Sequence, residues 1–161
     1  MIIRRARESD TPLVSSVLCE AATWLRERGT PLWSEDDLLP EALMHDVRSG
    51  LYHLALMGET AAGTLKLQES DPLIWPDVEA DEALYLHRLA VRRQFAGGQL
   101  SRALLDYAAV LARHTGRRYL RLDCDASRVR LRELYRSMGF RHHSDHLAGS
   151  FAVARFEKAI P

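Results

Sequence analysis

The apolar positions of this chain recur with two different periods, and the switches between them mark its elements. Ile2 to Ala6 reads as a short strand. From Leu13 the spacing changes: Leu13, Val17, Cys19, Ala21 and Trp24 follow near-helical intervals. Asp10 is placed to cap that helix, Pro12 is tolerated in its first turn, and Gly29 is a stop. "TPLWSEDDLLP" follows as an acidic loop, then Glu41 to Ser49 as a short helix ended by Gly50. The pattern next turns to alternation. "LYHLALM" and "AGTLKLQE", separated by "GET", predict a hairpin. After the polar, proline-containing loop "SDPLIWPDVEADE", "ALYLHRLAV" predicts a third long strand with Tyr85, His87, Leu89 and Val91 on one face.

Helical spacing returns directly after Gly97 and Gly98. Leu100, Leu104, Ala108 and Leu111 form an apolar stripe that Gly116 closes. "RYLRLDC" predicts a strand with Leu120, Leu122 and Cys124 on one face. Ser127 or Asp125 can cap a helix carrying Leu131, Leu134, Tyr135 and Met138, which Gly139 ends. "FRHHSDH" and "SFAVARFEKA" read as a closing antiparallel pair. The order is β-α-α-β-β-β-α-β-α-β-β. Consecutive hairpins exclude a purely parallel doubly wound sheet, so the fold class is α+β with a mixed sheet, in one domain over residues 1–161.

Composition narrows the function classes. Lys plus Arg and Asp plus Glu are equal at 22 each, so no global charge favours nucleic acid or an anionic membrane. No apolar run approaches the ~20 residues of a membrane span, and "MIIRRARESD" lacks an apolar signal core. Cys19 and Cys124 lie far apart, giving neither a disulfide framework nor a CxxC motif. The expected compartment is the cytoplasm.

The stretch "LAVRRQFAGGQLSRALLDYAAVLARHTG" raises the first chemical candidate: a strand, then bare backbone, then the mouth of a helix. Amides of a first helical turn have no internal acceptor and lie at the positive end of the dipole, so an anion can settle there. The same dipeptide also serves as a plain tight turn. "GETAAGT" has P-loop spacing but no lysine and sits in the hairpin, and neither G-x-G-x-x-G nor G-x-S-x-G occurs. His142, His143 and His146 cluster, but alternation puts His142 and His146 on one face and too far apart for an easy shared metal, so none is expected.

Three segments together resemble the GNAT superfamily of acyl-CoA N-acyltransferases over essentially the whole chain. "IIRRARESD" is similar to that family's first strand and helix start, and "LHRLAVRRQFAGGQLSRALLDYA" to its central strand, pyrophosphate loop and long helix. "YLRLDC" and "LRELYRSMGF" resemble its later strand and the helix bearing a tyrosine before Gly-Phe. The loop departs from the family pattern: Ala96, Gln99 and Ser101 stand at places usually held by other types, and only Gly97 keeps the usual one.

The resemblance implies a centrally splayed, mostly antiparallel sheet flanked by helices. It also implies transfer of an acetyl group from acetyl-CoA to a primary amine of a small molecule or peptide by direct attack, with no metal. The backbone of Leu89, Ala90 and Val91 would meet the pantetheine arm. Ala96, Gly97, Gly98, Gln99, Leu100 and Ser101 would turn amides to the pyrophosphate, with Arg102 adding charge beside Arg92 and Arg93. Tyr135 matches the tyrosine that protonates the departing sulfur. His87 is the candidate base, since an ordinary imidazole titrates near 6.5; Glu82 competes for the role, directly or through a water, and so does solvent. Trp24 and Trp33 would flank the acceptor, with Glu35, Asp36 and Asp37 attracting an ammonium. A homodimer through the last strand pair is compatible with the resemblance. The competing reading is a non-catalytic module of the same fold that binds a ligand or partner.

Overall fold

The computed structural model describes every residue from Met1 to Pro161. The elements follow the predicted order: β1 (Ile2–Arg5), α1 (Thr11–Glu27), α2 (Pro40–Arg48), β2 (Tyr52–Met57), β3 (Thr60–Gln68), β4 (Ala83–Val91), α3 (Gln99–His114), β5 (Tyr119–Asp125), α4 (Val129–Ser137), β6 (Arg141–Ala148) and β7 (Phe151–Ala159). Seven strands stand in the order β1-β2-β3-β4-β5-β7-β6. The pairs β1/β2, β2/β3, β5/β7 and β6/β7 are antiparallel, and β4/β5 is parallel. No helix is long and apolar enough to cross a membrane.

Contacts sort the chain into two compact units, each built from two segments: residues 1–67 with 88–107, and residues 68–87 with 108–161. In the first, α1 and α2 bury Val14, Val17, Leu18, Leu43 and Val47 with Tyr52 and Leu54 of β2 and Leu38 of the acidic loop. Asp10 is not the side-chain cap its position predicts. Its carboxylate accepts from the Arg7 amide at 2.7 Å and from the Arg4 guanidinium at 2.6 Å, tying β1 to a one-turn 3-10 segment before α1. Gly63 of β3 is a close-approach glycine: a Cβ there would lie 3.0 Å from both the Ala90 carbonyl oxygen and a Leu104 methyl.

Arg88 lies in the left-handed region at φ +50°, which for a non-glycine residue costs on the order of 1–2 kcal/mol. Its guanidinium donates to the Tyr52 hydroxyl and the Asp37 carbonyl, which hold it there. The alternation predicted for Tyr85, His87, Leu89 and Val91 is therefore broken between His87 and Leu89.

In the second unit, β7 pairs with β5 along its length, and Leu120, Leu122 and Phe156 are buried. Neither Ser127 nor Asp125 caps α4: the Asp125 carboxylate instead accepts from the Ser127 amide and hydroxyl, closing a local turn. Strand β6 carries a bulge between His142 and Ser144. The extra residue shifts the side-chain phase, so His142 shares a face with Asp145 and His146 falls on the other. His142 accordingly contacts Asp145 at 2.8 Å, and His143 packs on the Trp75 ring at 5.1 Å.

His53 of β2 is 4% exposed and shares a 3.0 Å hydrogen bond with the Tyr107 hydroxyl of α3. Burial, with a smaller push from Arg5, lowers its pKa to about 4. Between the ordinary value of about 6.5 and that depressed value, the unfolded chain takes up a proton that the folded chain refuses. Stability contributed by neutral His53 is thus complete above that window and falls as pH drops through it, by at most about 1.4 kcal/mol per pH unit. Denaturant melts between those limits should show this slope in the wild type and a shallower one in His53→Gln.

Candidate active site

The parallel pairing of β4 with β5 lasts three residues, Ala83↔Tyr119, Leu84↔Leu120 and Tyr85↔Arg121. Past it, β4 continues through Leu86 and His87 without register partners on β5, and β5 through Leu122 and Asp123 without partners on β4. Ionisable side chains gather at this parting. Asp71, from the loop after β3, is held by its own turn: Oδ1 accepts from the Ile74 amide at 3.2 Å. Its Oδ2 lies 3.3 Å from His87 Nε2, and both atoms are buried without a well-formed hydrogen bond. Asp123 completes a trio whose polar atoms lie within 4.8 Å of one another, near enough to share protons or close on a small cation.

The carboxyls are biased in opposite directions. Burial works against charge on Asp71, but the His87 contact and two backbone amides outweigh it and hold its pKa below the ordinary value. Asp123 is pushed up, chiefly by burial, with the Asp71 charge adding to the push and His87 opposing it. Tyr135 of α4 is 7% exposed and packs edge-on against Phe140. Burial, together with Cys124 and Asp123, drives its phenol well above the ordinary tyrosine value. Tyr135 therefore stays protonated and able to donate. The field of Asp123 reaches both Tyr135 and His87.

Glu82 occupies a different position. One oxygen accepts from Arg118 and the other from buried Arg121, each at 3.1 Å. Arg121 also donates to Glu157 and the Tyr85 hydroxyl, so Glu82 belongs to a network bracing β4, β5 and β7. Its carboxylate is committed to two guanidiniums.

The glycine loop lies in the other unit. After a one-turn 3-10 segment (Arg93–Phe95), Gly97 and Gly98 adopt φ +134° and +90°. A Cβ on either would meet nothing within 4 Å, so backbone conformation and not space demands glycine. The Arg102 amide bonds back to the Gly98 carbonyl, so Gln99, Leu100 and Ser101 occupy the first helical turn, whose amides lack an intrahelical acceptor. The Ala96 amide is used within the turn, donating to the Arg93 carbonyl, which removes it from the expected donors. Arg92 is half-buried and bound to Glu20, Ser16 and the Ala61 carbonyl, whereas Arg93, over the Trp24 ring at 4.0 Å, and Arg102 are both exposed. Of the backbone predicted to meet pantetheine, Ala90 is buried and Leu89 and Val91 are half-buried. Trp24 also has Arg28 over its ring at 4.3 Å, and Trp33 packs against the first unit's core.

Sequence reasoning singled out His87 and Tyr135 as candidates but not Asp71 and Asp123, which the structure brings beside His87. Asp123 carried a weak signal, an acid on the strand face opposite Leu120, Leu122 and Cys124. Asp71 carried none beyond a turn-forming Asp-Pro.

Residues 18–140 match the family model described as the acetyltransferase (GNAT) family. The chain belongs to the GNAT acetyltransferase family. A curated relative, the uncharacterized N-acetyltransferase YesJ of Bacillus subtilis (strain 168), is 33% identical over 159 residues, covering 94% of this chain and 86% of that protein. Among solved structures, a GNAT-family acetyltransferase from Listeria monocytogenes 4b F2365 is 26% identical with a TM-score of 0.80, over 97% of this chain and 94% of that one. The PaiA N-acetyltransferase of Thermoplasma acidophilum, solved in complex with coenzyme A, shares the fold at 20% identity and TM-score 0.75, over 98% of both chains.

The ion-pair geometry of Glu82 yields a test within this GNAT frame. Glu82→Gln removes the charge facing two guanidiniums and should cost about 1–3 kcal/mol of stability, read by denaturant melts. Acyl transfer per folded molecule should be retained; abolished transfer in a folded variant would return Glu82 to the catalytic candidates.

Proposed function

We propose that this GNAT protein transfers an acetyl group from acetyl-CoA to a primary amine of a small molecule or peptide, by direct attack on the thioester. The observation that carries the reading is the grouping at the strand parting: an imidazole on β4 and a buried, protonated tyrosine on α4, both in the field of Asp123. A base and an acid are what aminolysis of a thioester requires.

The amine nitrogen attacks the thioester carbon and loses a proton to His87. The C–S bond breaks, and Tyr135 gives its proton to the departing sulfur. The products are an amide and free CoA thiol, and the proton on His87 makes good the one lost by Tyr135 before the next turnover. The amides of Gly97 through Ser101 take the pyrophosphate, an interaction that needs bare backbone more than any side chain. Leu89, Ala90 and Val91 offer backbone to the pantetheine arm. Trp24 and Trp33 belong to the acceptor side, and a substrate cation stacking on Trp24 would replace Arg28 or Arg93 over its ring. Two free cysteines fit a reducing, cytoplasmic setting.

The test is a two-variant experiment with an acetyl-CoA-dependent amine screen that follows thiol release. Gly97→Pro cannot adopt φ +134° and should weaken acetyl-CoA binding by calorimetry with the fold retained. Tyr135→Phe should leave that affinity nearly unchanged yet lower the single-turnover rate by ~10²–10⁴. A near-normal rate in Tyr135→Phe would remove the acid, and acetyl-CoA binding without turnover on any amine would favour the non-catalytic reading.

A further inference from the structure

The contact between Asp71 and His87 carries more than proximity. A carboxylate oxygen can only accept a hydrogen bond, whereas an imidazole nitrogen donates or accepts according to tautomer. Asp71 Oδ2 and His87 Nε2 face each other at 3.3 Å, both buried and neither making a well-formed hydrogen bond to the other or to any other group. Were Nε2 to carry its lone pair here, two buried acceptors would confront each other and both would stay unsatisfied, at a cost of several kcal/mol. A proton on Nε2 instead sets a donor against an acceptor, which a small closing of this long contact turns into a hydrogen bond.

Asp71 is itself anchored for this. Its side chain is 9% exposed, and Oδ1 is fixed by the Ile74 amide, so the second oxygen is aimed by the turn and not by chance rotation. We infer that Asp71 is a positioning residue that fixes His87 as the Nε2–H tautomer, which makes Nδ1 the atom that receives the proton from the attacking amine. The inference rests on His87 being the base. Asp123 reaches the pair from β5 with its polar atoms within 4.8 Å of theirs, and burial pushes its carboxyl toward the neutral form.

The consequence is chemical. A neutral imidazole whose Nε2–H is held by a carboxylate is oriented, and the positive charge it gains on taking a proton at Nδ1 is stabilised by that carboxylate. Removing the carboxylate's charge while keeping its shape would reverse the polarity of the contact. In Asp71→Asn, the side-chain oxygen can still accept from the Ile74 amide, but the group facing Nε2 becomes an N–H donor. His87 must then switch to the Nδ1–H tautomer to accept it, and the lone pair leaves Nδ1.

Tautomers are read directly by long-range proton–nitrogen correlation NMR on the nitrogen-labelled chain. The spectrum would be taken over a pH series until the His87 signals stop changing on the alkaline side, with His87 assigned by its absence in His87→Gln. Wild-type His87 should show a protonated Nε2 and a bare Nδ1, Asp71→Asn should show the reverse, and Asp123→Asn should keep the wild-type pattern. A protonated Nδ1 in the wild type, or a switch in Asp123→Asn but not in Asp71→Asn, would overturn the inference, and the wild-type spectrum decides even if a variant is unstable. Single-turnover acetyl transfer separates the two readings: Asp71→Asn should lose roughly 10–10³-fold in rate with acetyl-CoA affinity kept. A tautomer switch with an unchanged rate would leave the positioning intact and remove His87 as the base.

Discussion

Strand β4 gives up its parallel partner after three residues, and the chemistry proposed for this protein depends on that interruption. A continuous ladder would satisfy every backbone group of β4 and β5 and put side chains at fixed cross-strand spacing. Where the ladder stops, His87 and Asp123 are freed from mutual register, and Asp71 reaches in from the loop after β3. Backbone strain at Arg88 lies one residue beyond His87, held by hydrogen bonds to Tyr52 and Asp37. The chain thus accepts a local cost where pairing ends, which is how a strained backbone comes to sit beside functional groups.

The unit that holds this cluster is braced by buried charge. Arg121 joins Glu82, Glu157 and Tyr85, and Arg155 joins Asp77, Ser144 and the Ile74 carbonyl, with both guanidiniums packed against the buried Trp75 ring. Such networks add little net stability, because desolvation offsets most of the attraction. They do fix geometry. Arg155 bonds to the Ile74 carbonyl, and the Ile74 amide holds Asp71, so the brace on β7 leads through one short turn to the carboxylate beside His87.

Much of this was legible in the residues. Periodicity gave all eleven elements in order, since each long strand and helix buries one regular face. It failed where a single residue breaks the period: the bulge after His142 reversed the face of His146, and positive φ at Arg88 interrupted the alternation of β4. Side-chain caps failed for a related reason. Asp10 and Asp125 have the right type and place, but each found a nearer donor in its own turn. The candidate site was half legible. His87 and Tyr135 stand in recognisable contexts, whereas Asp71 acquires meaning only from a turn that aims it 16 residues along the chain at His87.

The central claim is that the imidazole at the strand parting handles the amine's proton. The most direct measurement is the pH dependence of single-turnover acetyl transfer in wild type and in His87→Gln, with acetyl-CoA saturating. The account predicts a wild-type rate that falls on the acid side as the imidazole is protonated. In His87→Gln, that limb should be missing and the rate low throughout, with acetyl-CoA affinity intact. An acid limb of unchanged position and depth in the variant would contradict it.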